Sequence, residues 1–400
     1  MRAKAFRGLV SELVRAGAPV PARCRHASEC GGCAFQDRAY PAQLAAKQQA
    51  LAQLFSEAGI LSAEAAARLE LVASPDPYDY RTRMDYVATR GRFGLRARGR
   101  FNHIVELVEC HLIPPAAFAP ARAVWQAAQT LGLPDYNLRS HEGFLRYIVV
   151  RRSPDDELLL AVVTADGPYE TAMEQLAATA LEQPRVIGFH WLHNPTRTDL
   201  SFGTPLRHWG AETLPMRVGS AWLQIGPNSF FQNNLRLLDQ LLADVRSAVV
   251  GAQTPASVVD LYGGVGTIAI SLAPHVGQVH CVEAVAESAA LARQNTATNG
   301  AAHVSAICSE VLPYLRAQPA GAYAVAVLDP PRTGLGPDVC RELLRLGPQR
   351  IAYVSCNPLT QVEDLRVLAS DYRLCSVRGY DMFPHTPHVE TLAVLERYAA

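Results

Sequence analysis

The chain has 400 residues, 49% of them hydrophobic, with 37 basic and 37 acidic side chains and a formal net charge of zero. That length buries a sizeable core and suggests two or three domains at roughly 150 residues each, while the balanced charge argues against a generic polyanion binder. The opening "MRAKAFRGLVSELVRAG" lacks a signal-peptide apolar stretch, and the longest apolar run, "LLLAVVTA" at 158–165, is too short to span a bilayer, so a cytoplasmic protein with no membrane contact is expected.

Nine cysteines in a reducing compartment point to metal binding, catalysis or packing rather than to disulfides. The first three, Cys24, Cys30 and Cys33, are spaced C-x5-C-x2-C around two glycines and suit one metal centre, with Cys110, between a β-like segment and "HLIPP", as the natural fourth ligand. From spacing alone a four-thiolate zinc and an iron-sulfur cluster both stay open. The spacing departs from the C-x3-C-x2-C loop that resembles radical S-adenosylmethionine enzymes, so a structural or RNA-fold role is the economical reading. Cys281, Cys308, Cys340 and Cys375 fall within predicted strands or helices and read as packing residues.

Residues 41–70 carry apolar side chains at helical spacing (Leu44, Leu51, Leu54, Phe55) and predict one or two helices. From about 78 to 225, runs such as "YIVVRR", "LLLAVVT" and "VIGFHWLH" alternate with Gly, Pro and Asp, with helical segments near 117–131 and 168–182, which predicts a mixed α+β domain. Within it, residues 81–100 hold seven arginines against one acid, Asp85, with Tyr80, Tyr86, Phe93 and Phe101 interleaved. Such a segment suits phosphate backbone and exposed bases, and equally suits a solvated sheet face.

After "SFFQNN" the pattern changes. A helix at 234–249 precedes "SVVDLY", "VHCVE", "VSAIC", "AVAVLD" and "RIAYVS", buried strands separated by helical segments, which predicts an α/β Rossmann-like doubly wound sheet. "DLYGGVGT", 260–267, joins the first strand to the next helix, and its glycines let backbone approach a ligand. Glu283 ends the second strand 23 residues after Asp260, where a carboxylate accepts both ribose hydroxyls. The loop lacks the third glycine of a dinucleotide fingerprint and the Gly-Lys-Ser/Thr of a phosphate loop, so S-adenosylmethionine fits better than a pyrophosphate ligand. "LDPPRTGL" ends the fourth strand and turns Asp329 toward the methyl donor's end of that pocket. In "YVSCNP", Cys356 closes the fifth strand, and Pro358 suits a first helical turn whose amino terminus favours a thiolate.

"SFFQNN", "DLYGGVG", "LDPPRTGL", "VSCNP" and "DMFPHTPHVET", in this order, resemble the RNA uracil-5-methyltransferase family, which makes 5-methyluridine in transfer or ribosomal RNA. "CRHASECGGCAFQ" with the later cysteine resembles the ribosomal-RNA members that hold a four-iron four-sulfur (4Fe-4S) cluster. The resemblance implies that Gln232, Tyr262, Thr267, Glu283, Glu310 and Asp329 contact S-adenosylmethionine, that Cys356 is the nucleophile and Glu390 the base, and that Cys24, Cys30, Cys33 and Cys110 hold the cluster. The "AICSEV" match behind Glu310 is the loosest. The implied substrate is a uridine of RNA, 23S ribosomal RNA first and transfer RNA second, and the enzyme is expected to act as a monomer. Family members often begin with a TRAM barrel, of which residues 1–20 would be at most a remnant strand. The expected division is then 21–228 for a central RNA-binding α+β domain carrying the cluster and 229–400 for catalysis.

The chemistry explains the residue types. Carbon 5 of uracil is too poor a nucleophile to take a methyl group until a thiolate adds at carbon 6, and product leaves only after a base removes the carbon 5 proton. The nucleotide must also be extruded from its stack, with Phe230 or Phe231 as a stacking surface unless each is core. His385 and His388 read as structural. An adenine-N6 enzyme would carry an aromatic where Arg332 follows the prolines, and a cytosine-5 enzyme a Pro-Cys in that loop. A non-catalytic RNA-binding iron-sulfur protein would not need Asp329, Cys356 and Glu390 together.

Overall fold

The computed structural model describes residues 3–251 and 254–399. Its larger sheet has eight strands in the order Glu70–Val72, Tyr372–Tyr380, Glu390–Arg397, Arg350–Ser355, Val325–Leu328, Ser257–Leu261, Gln278–Glu283, Val304–Cys308. The five strands read from the sequence run parallel to one another. They are apolar runs because helices cover both faces, and their order reverses between Ser257–Leu261 and Val325–Leu328, which opens a crevice at the carboxyl ends. Glu390–Arg397 then pairs antiparallel with Arg350–Ser355 and with Tyr372–Tyr380.

The smaller sheet has seven strands in the order Arg100–Glu106, Arg92–Ala97, Arg83–Thr89, Leu145–Arg152, Leu158–Thr164, Val186–His193, Thr204–Gly210. All pairs are antiparallel except Leu158–Thr164 with Val186–His193, which the helix Glu170–Leu181 connects. The helix Pro115–Thr130 packs on the same core through Phe118, Val124 and Trp125. The seven strands and their two helices run from residue 83 to residue 210, inside the expected 21–228.

Much of the segment before them packs elsewhere. Residues 3–16 form a helix, Ala3–Ala16, so the expected barrel strand at 1–20 is corrected. Phe6, Val10 and Val14, at helical spacing, face Phe35, Leu51, Phe55 and the catalytic-sheet residues Tyr353 and Leu395 in one apolar cluster. Glu70–Val72 extends the large sheet beside Tyr372–Tyr380, so the predicted helices at 41–70, observed as Tyr40–Glu57 and Ala63–Ala67, end in a strand. The helices Ala3–Ala16 and Tyr40–Glu57 and the strand Glu70–Val72 are thus built onto the catalytic sheet, while the loop around Cys30 lies on the small one.

Candidate active site

Strand register sets the centre of the site. Ser355 pairs with Thr391, so in this antiparallel ladder the next residue, Cys356, and the preceding one, Glu390, lie at the same end, outside the carboxyl edge of the sheet. Gln361 ties the two strands together, its amide donating to Tyr353 O at 2.9 Å and its oxygen accepting from Thr391 Oγ1 at 2.7 Å. The helix Pro358–Leu368 starts two residues beyond Cys356 and grips the loop after Asp329. Asn357 Nδ2 donates to Arg332 O at 2.8 Å, and Asp364 accepts from the amides of Leu335 and Gly336. That grip brings Arg332, treated in the sequence only as a discriminator, close enough to the Cys356 thiol to favour its thiolate.

Cys356 is half-buried at the base of a cleft of about 230 Å³ lined also by Phe6, Arg7, Arg332 and His388. A water takes roughly 30 Å³, so the cleft has room for a small planar ring. On the other side of Asp329 lies a second cavity, lined by Phe230, Gln232, Tyr262, Gly263, Thr267 and Asp329. Four predicted cofactor contacts thus meet in one cavity. Gln232 Nε2 donates to Asp329 Oδ2 at 3.5 Å, joining "SFFQNN" to the fourth strand.

The glycine-rich turn is shaped for close approach. A Cβ on Gly263 would lie 2.3 Å from Cys281 Sγ, so the chain passes directly over the neighbouring strand. Tyr262 has φ 64°, a left-handed conformation uncommon for an aromatic residue and held here by the turn. Glu283 fixes the turn from below, Oε2 accepting from Gly264 N at 2.9 Å and Oε1 from Val285 N at 2.7 Å. Glu310 is exposed at the amino terminus of the helix Val311–Arg316, outside that cavity lining, yet its charge reaches Tyr262. Of the two phenylalanines, Phe230 is 65% exposed at the cavity and available to stack, whereas Phe231 is core.

The electrostatics correct one expectation. The Cys356 thiol is pushed up to about 12, first by burial and then by the carboxylates of Glu390 and Asp329, which outweigh the helix amino terminus and the opposing effect of Arg332. Burial and Asp329 also push Glu390 well above the carboxylate range, and Glu390 Oε1 has no hydrogen-bond partner. Asp329 is raised to about 7, chiefly by burial, and Asp260 to about 8 by burial and by Asp329. Asp260, named above only as a spacing mark, is fully buried beneath the turn, with Oδ2 accepting from Ala269 N at 3.0 Å and Oδ1 unpaired. Two protonatable carboxyls, Asp329 and Glu390, thus stand close to the Cys356 thiol, with Asp260 behind Asp329, an environment suited to moving protons and to receiving a cation.

The four cysteines read as ligands are all free and buried, and three of them belong to the small-sheet core. Burial comes first in raising each thiol, to about 11 for Cys30 and about 12 for Cys33, and Cys110 adds to the rise at Cys24, Cys30 and Cys33, which places it near all three. Donors already point at the sulfurs: Gly32 N lies 3.4 Å from Cys30 Sγ, Gln36 Nε2 3.2 Å from Cys33 Sγ, and the amides of Leu112 and Ile113 serve Cys110. Gly31 allows the loop to lie on Arg92–Ala97, since a Cβ there would sit 2.7 Å from Arg96 O. These N–H donors offset part of the burial and would favour the thiolates that a metal centre requires. Among the described residues no group of three or more His, Cys, Asp or Glu is arranged to hold a metal ion. Of the other cysteines, Cys281 and Cys340 are core, but Cys308 and Cys375 are exposed, which corrects their reading as packing residues.

The arginine segment is corrected more broadly. Tyr80, Tyr86 and Phe93 are core residues, and only Phe101 is exposed. Arg96 is paired with Asp199 and lies over Phe101, while Arg98 donates to Ala27 O and Cys33 O at 2.8 Å each and so holds the cysteine loop. Arg83 pairs with Asp85 and covers Phe202. Arg90 and Arg100 carry no ion pair or side-chain hydrogen bond among the described residues. Most of the seven arginines therefore serve the fold. No helix among the described residues is long and apolar enough to cross a membrane.

A doubly wound sheet with a glycine-rich turn, an acidic tip on the second strand and a cavity at the order reversal defines an S-adenosylmethionine-dependent methyltransferase. The tRNA (uracil-5-)-methyltransferase family model matches residues 320–398, the segment holding Asp329, Cys356 and Glu390. The chain is 33% identical over 386 residues to an uncharacterised RNA methyltransferase of Nitratidesulfovibrio vulgaris, covering 93% of this chain and 82% of that one. It is 31% identical over 374 residues to the tRNA (uracil(54)-C(5))-methyltransferase of Pyrococcus abyssi, covering 93% and 85%. The crystal structure of the Pyrococcus abyssi tRNA (uracil-54, C5)-methyltransferase with S-adenosyl-L-homocysteine superimposes with a TM-score of 0.77 at 30% identity, covering 92% and 84%. The chain belongs to the RNA uracil-5-methyltransferase family and is an RNA (uracil-5-)-methyltransferase.

Proposed function

We propose that the enzyme methylates carbon 5 of a uridine in folded RNA through a covalent adduct of Cys356 to carbon 6. The observation that carries this reading is the register that sets Cys356 beside Glu390, with Asp329 between them and the second cavity. S-adenosylmethionine, bound in that cavity, supplies the methyl group and a positive sulfonium. Gln232, Tyr262, Thr267 and Asp329 line its place, Glu283 sits where its ribose would lie, and Glu310 is the outermost of the proposed contacts.

The uridine base occupies the cleft over Cys356; the thiol gives its proton to the nearby Asp329 carboxylate, and the sulfur bonds to carbon 6 while charge moves through the ring to the carbon 4 oxygen. Arg332, close to the sulfur, offsets the two carboxylates that oppose a thiolate. The enolate carbon 5 takes the methyl group. Glu390 then removes the carbon 5 proton, the sulfur–carbon 6 bond breaks, and the ring regains its double bond. Arg7 and Arg332 at the cleft give the entering nucleotide's phosphates a basic rim.

For the RNA, the Pyrococcus relative, whose likeness covers 93% of the chain, supports transfer RNA, and the cysteine motif favours 23S ribosomal RNA as the second reading. Incubation with labelled cofactor and transcripts of each decides between them: label in transfer RNA alone is expected, label in 23S RNA alone reverses the order, and label in neither overturns the reaction.

The same reading puts a four-iron four-sulfur cluster on Cys24, Cys30, Cys33 and Cys110, where it would bind the N-terminal loop to the small sheet. Anaerobically purified protein is then brown, with about four irons per chain. Colourless protein with one zinc would overturn the cluster.

A further inference from the structure

We infer that Gln43, with Tyr80, is a positioning device for Glu390: it locks a strained turn in the loop Asp381–Val389 that delivers the base to the nucleophile. The inference rests on the assignment of Glu390 as base.

His385, five residues before Glu390, has φ 62°, a conformation that is uncommon for a side chain of this size. Strain of this kind persists only where its surroundings over-determine it. Within the loop, Thr386 closes the turn, its N and Oγ1 donating to Phe383 O at 3.3 and 2.8 Å, and the remaining determinants come from the first eighty residues. Gln43 is fully buried, and its Oε1 accepts from His385 N at 3.1 Å. Its Nε2 donates at 2.9 Å to both Phe35 O and Arg38 O and lies 3.1 Å from His385 Nδ1. His385 O in turn accepts from Ala34 N at 2.7 Å and Phe35 N at 3.2 Å. Tyr78 packs against the imidazole with centroids 4.6 Å apart and the rings tilted by 39°, and Tyr80 Oη donates to Pro384 O at 3.2 Å. At the start of the loop the fully buried pair Lys47–Asp381 closes the clamp, with Lys47 Nζ also donating to Phe383 O at 3.2 Å.

Glu390 itself receives little direct support, since Oε1 has no partner. Its placement therefore depends on the two ends of its backbone, the Tyr380 pairing on one side and the clamped loop on the other. Cys356 is held within the large sheet by Ser355, Asn357 and Gln361, whose hydrogen bonds do not reach the loop 381–389, although Gln361 also bonds Thr391 beside Glu390. Loosening the clamp should consequently slow the step that Glu390 performs and spare the step that Cys356 performs. A general loss of fold would slow both.

The test compares Gln43→Met, which keeps length and removes the amide, and Tyr80→Phe, which removes one hydroxyl without a change of shape, with wild type and Glu390→Gln. In single-turnover assays with labelled cofactor, adduct formation and the KM for RNA are expected to stay within about twofold, while adduct release slows about tenfold or more in Gln43→Met, the scale of a small displacement of a reacting group. Tyr80→Phe is expected to change in the same direction by less, and hydrogen exchange across 381–389 to rise in both. If Glu390→Gln accumulates adduct and neither clamp variant does, the inference is overturned while the catalytic reading stands. If Glu390→Gln does not accumulate adduct, both fall. Equal slowing of adduct formation and release in the folded variants also overturns the clamp.

Discussion

Cys356→Ala is expected to abolish product, lowering turnover by at least roughly 10⁴-fold, the scale seen when a covalent nucleophile is removed. Without the thiolate no bond forms at carbon 6, and carbon 5 stays too poor a nucleophile for the methyl group. The change removes one half-buried sulfur at a strand end, so folding and cofactor affinity should persist. A gel-shift titration should show RNA binding retained, and a denaturing gel should show no slow protein–RNA band. Turnover within tenfold of wild type would remove Cys356 from the nucleophile's role.

Glu390→Gln is expected to fail at the opposite end of the pathway. Glutamine keeps the size and cannot take the carbon 5 proton, so the sulfur adds, the methyl group transfers and the methylated adduct then accumulates. Release should fall by about 10²- to 10⁴-fold, the usual contribution of a positioned base. The wild-type pH dependence has a definite sign. Burial and Asp329 push the Glu390 carboxyl well above its ordinary range, so its neutral form persists to higher pH than that of an ordinary carboxyl. Release should therefore speed up as pH rises through the Glu390 titration, and the glutamine variant should lack that rise. A wild-type release rate flat from pH 6 to about 9, or a variant that releases product normally, excludes Glu390 as the base.

The cleft also explains why the thiol and the base are mutually adjusted. With Glu390 protonated, one of the two carboxylates opposing the Cys356 thiolate is silenced, which leaves Asp329 and Arg332 as the charges nearest the sulfur. A neutral Glu390 thus favours addition and an ionised one favours release. The two steps need opposite protonation states of one buried carboxyl, and raising that carboxyl keeps its neutral form available for addition at higher pH than an ordinary glutamate would.

What the sequence determined by itself was local. Each of the five parallel strands is an apolar run stopped by turn residues, so 257–261, 278–283, 304–308, 325–328 and 350–355 were legible within a residue or so. The glycine turn, Glu283, Asp329 and Cys356 follow at strand ends because such sheets bind ligands there, and ordered motifs carried Gln232 and Glu390. What only the tertiary structure decided depends on residues far apart in the chain. Three residues, 70–72, become a strand because Tyr372–Tyr380 offers an open edge, and so the N-terminal segment joins the catalytic sheet. Arg96 and Arg98 look free for RNA until Asp199 and the carbonyls of Ala27 and Cys33 fold against them. The Cys356 thiol moves up rather than down because Asp329 and Glu390, brought in by strands that carry no mark of it, add their charge in a half-buried site where water screens little.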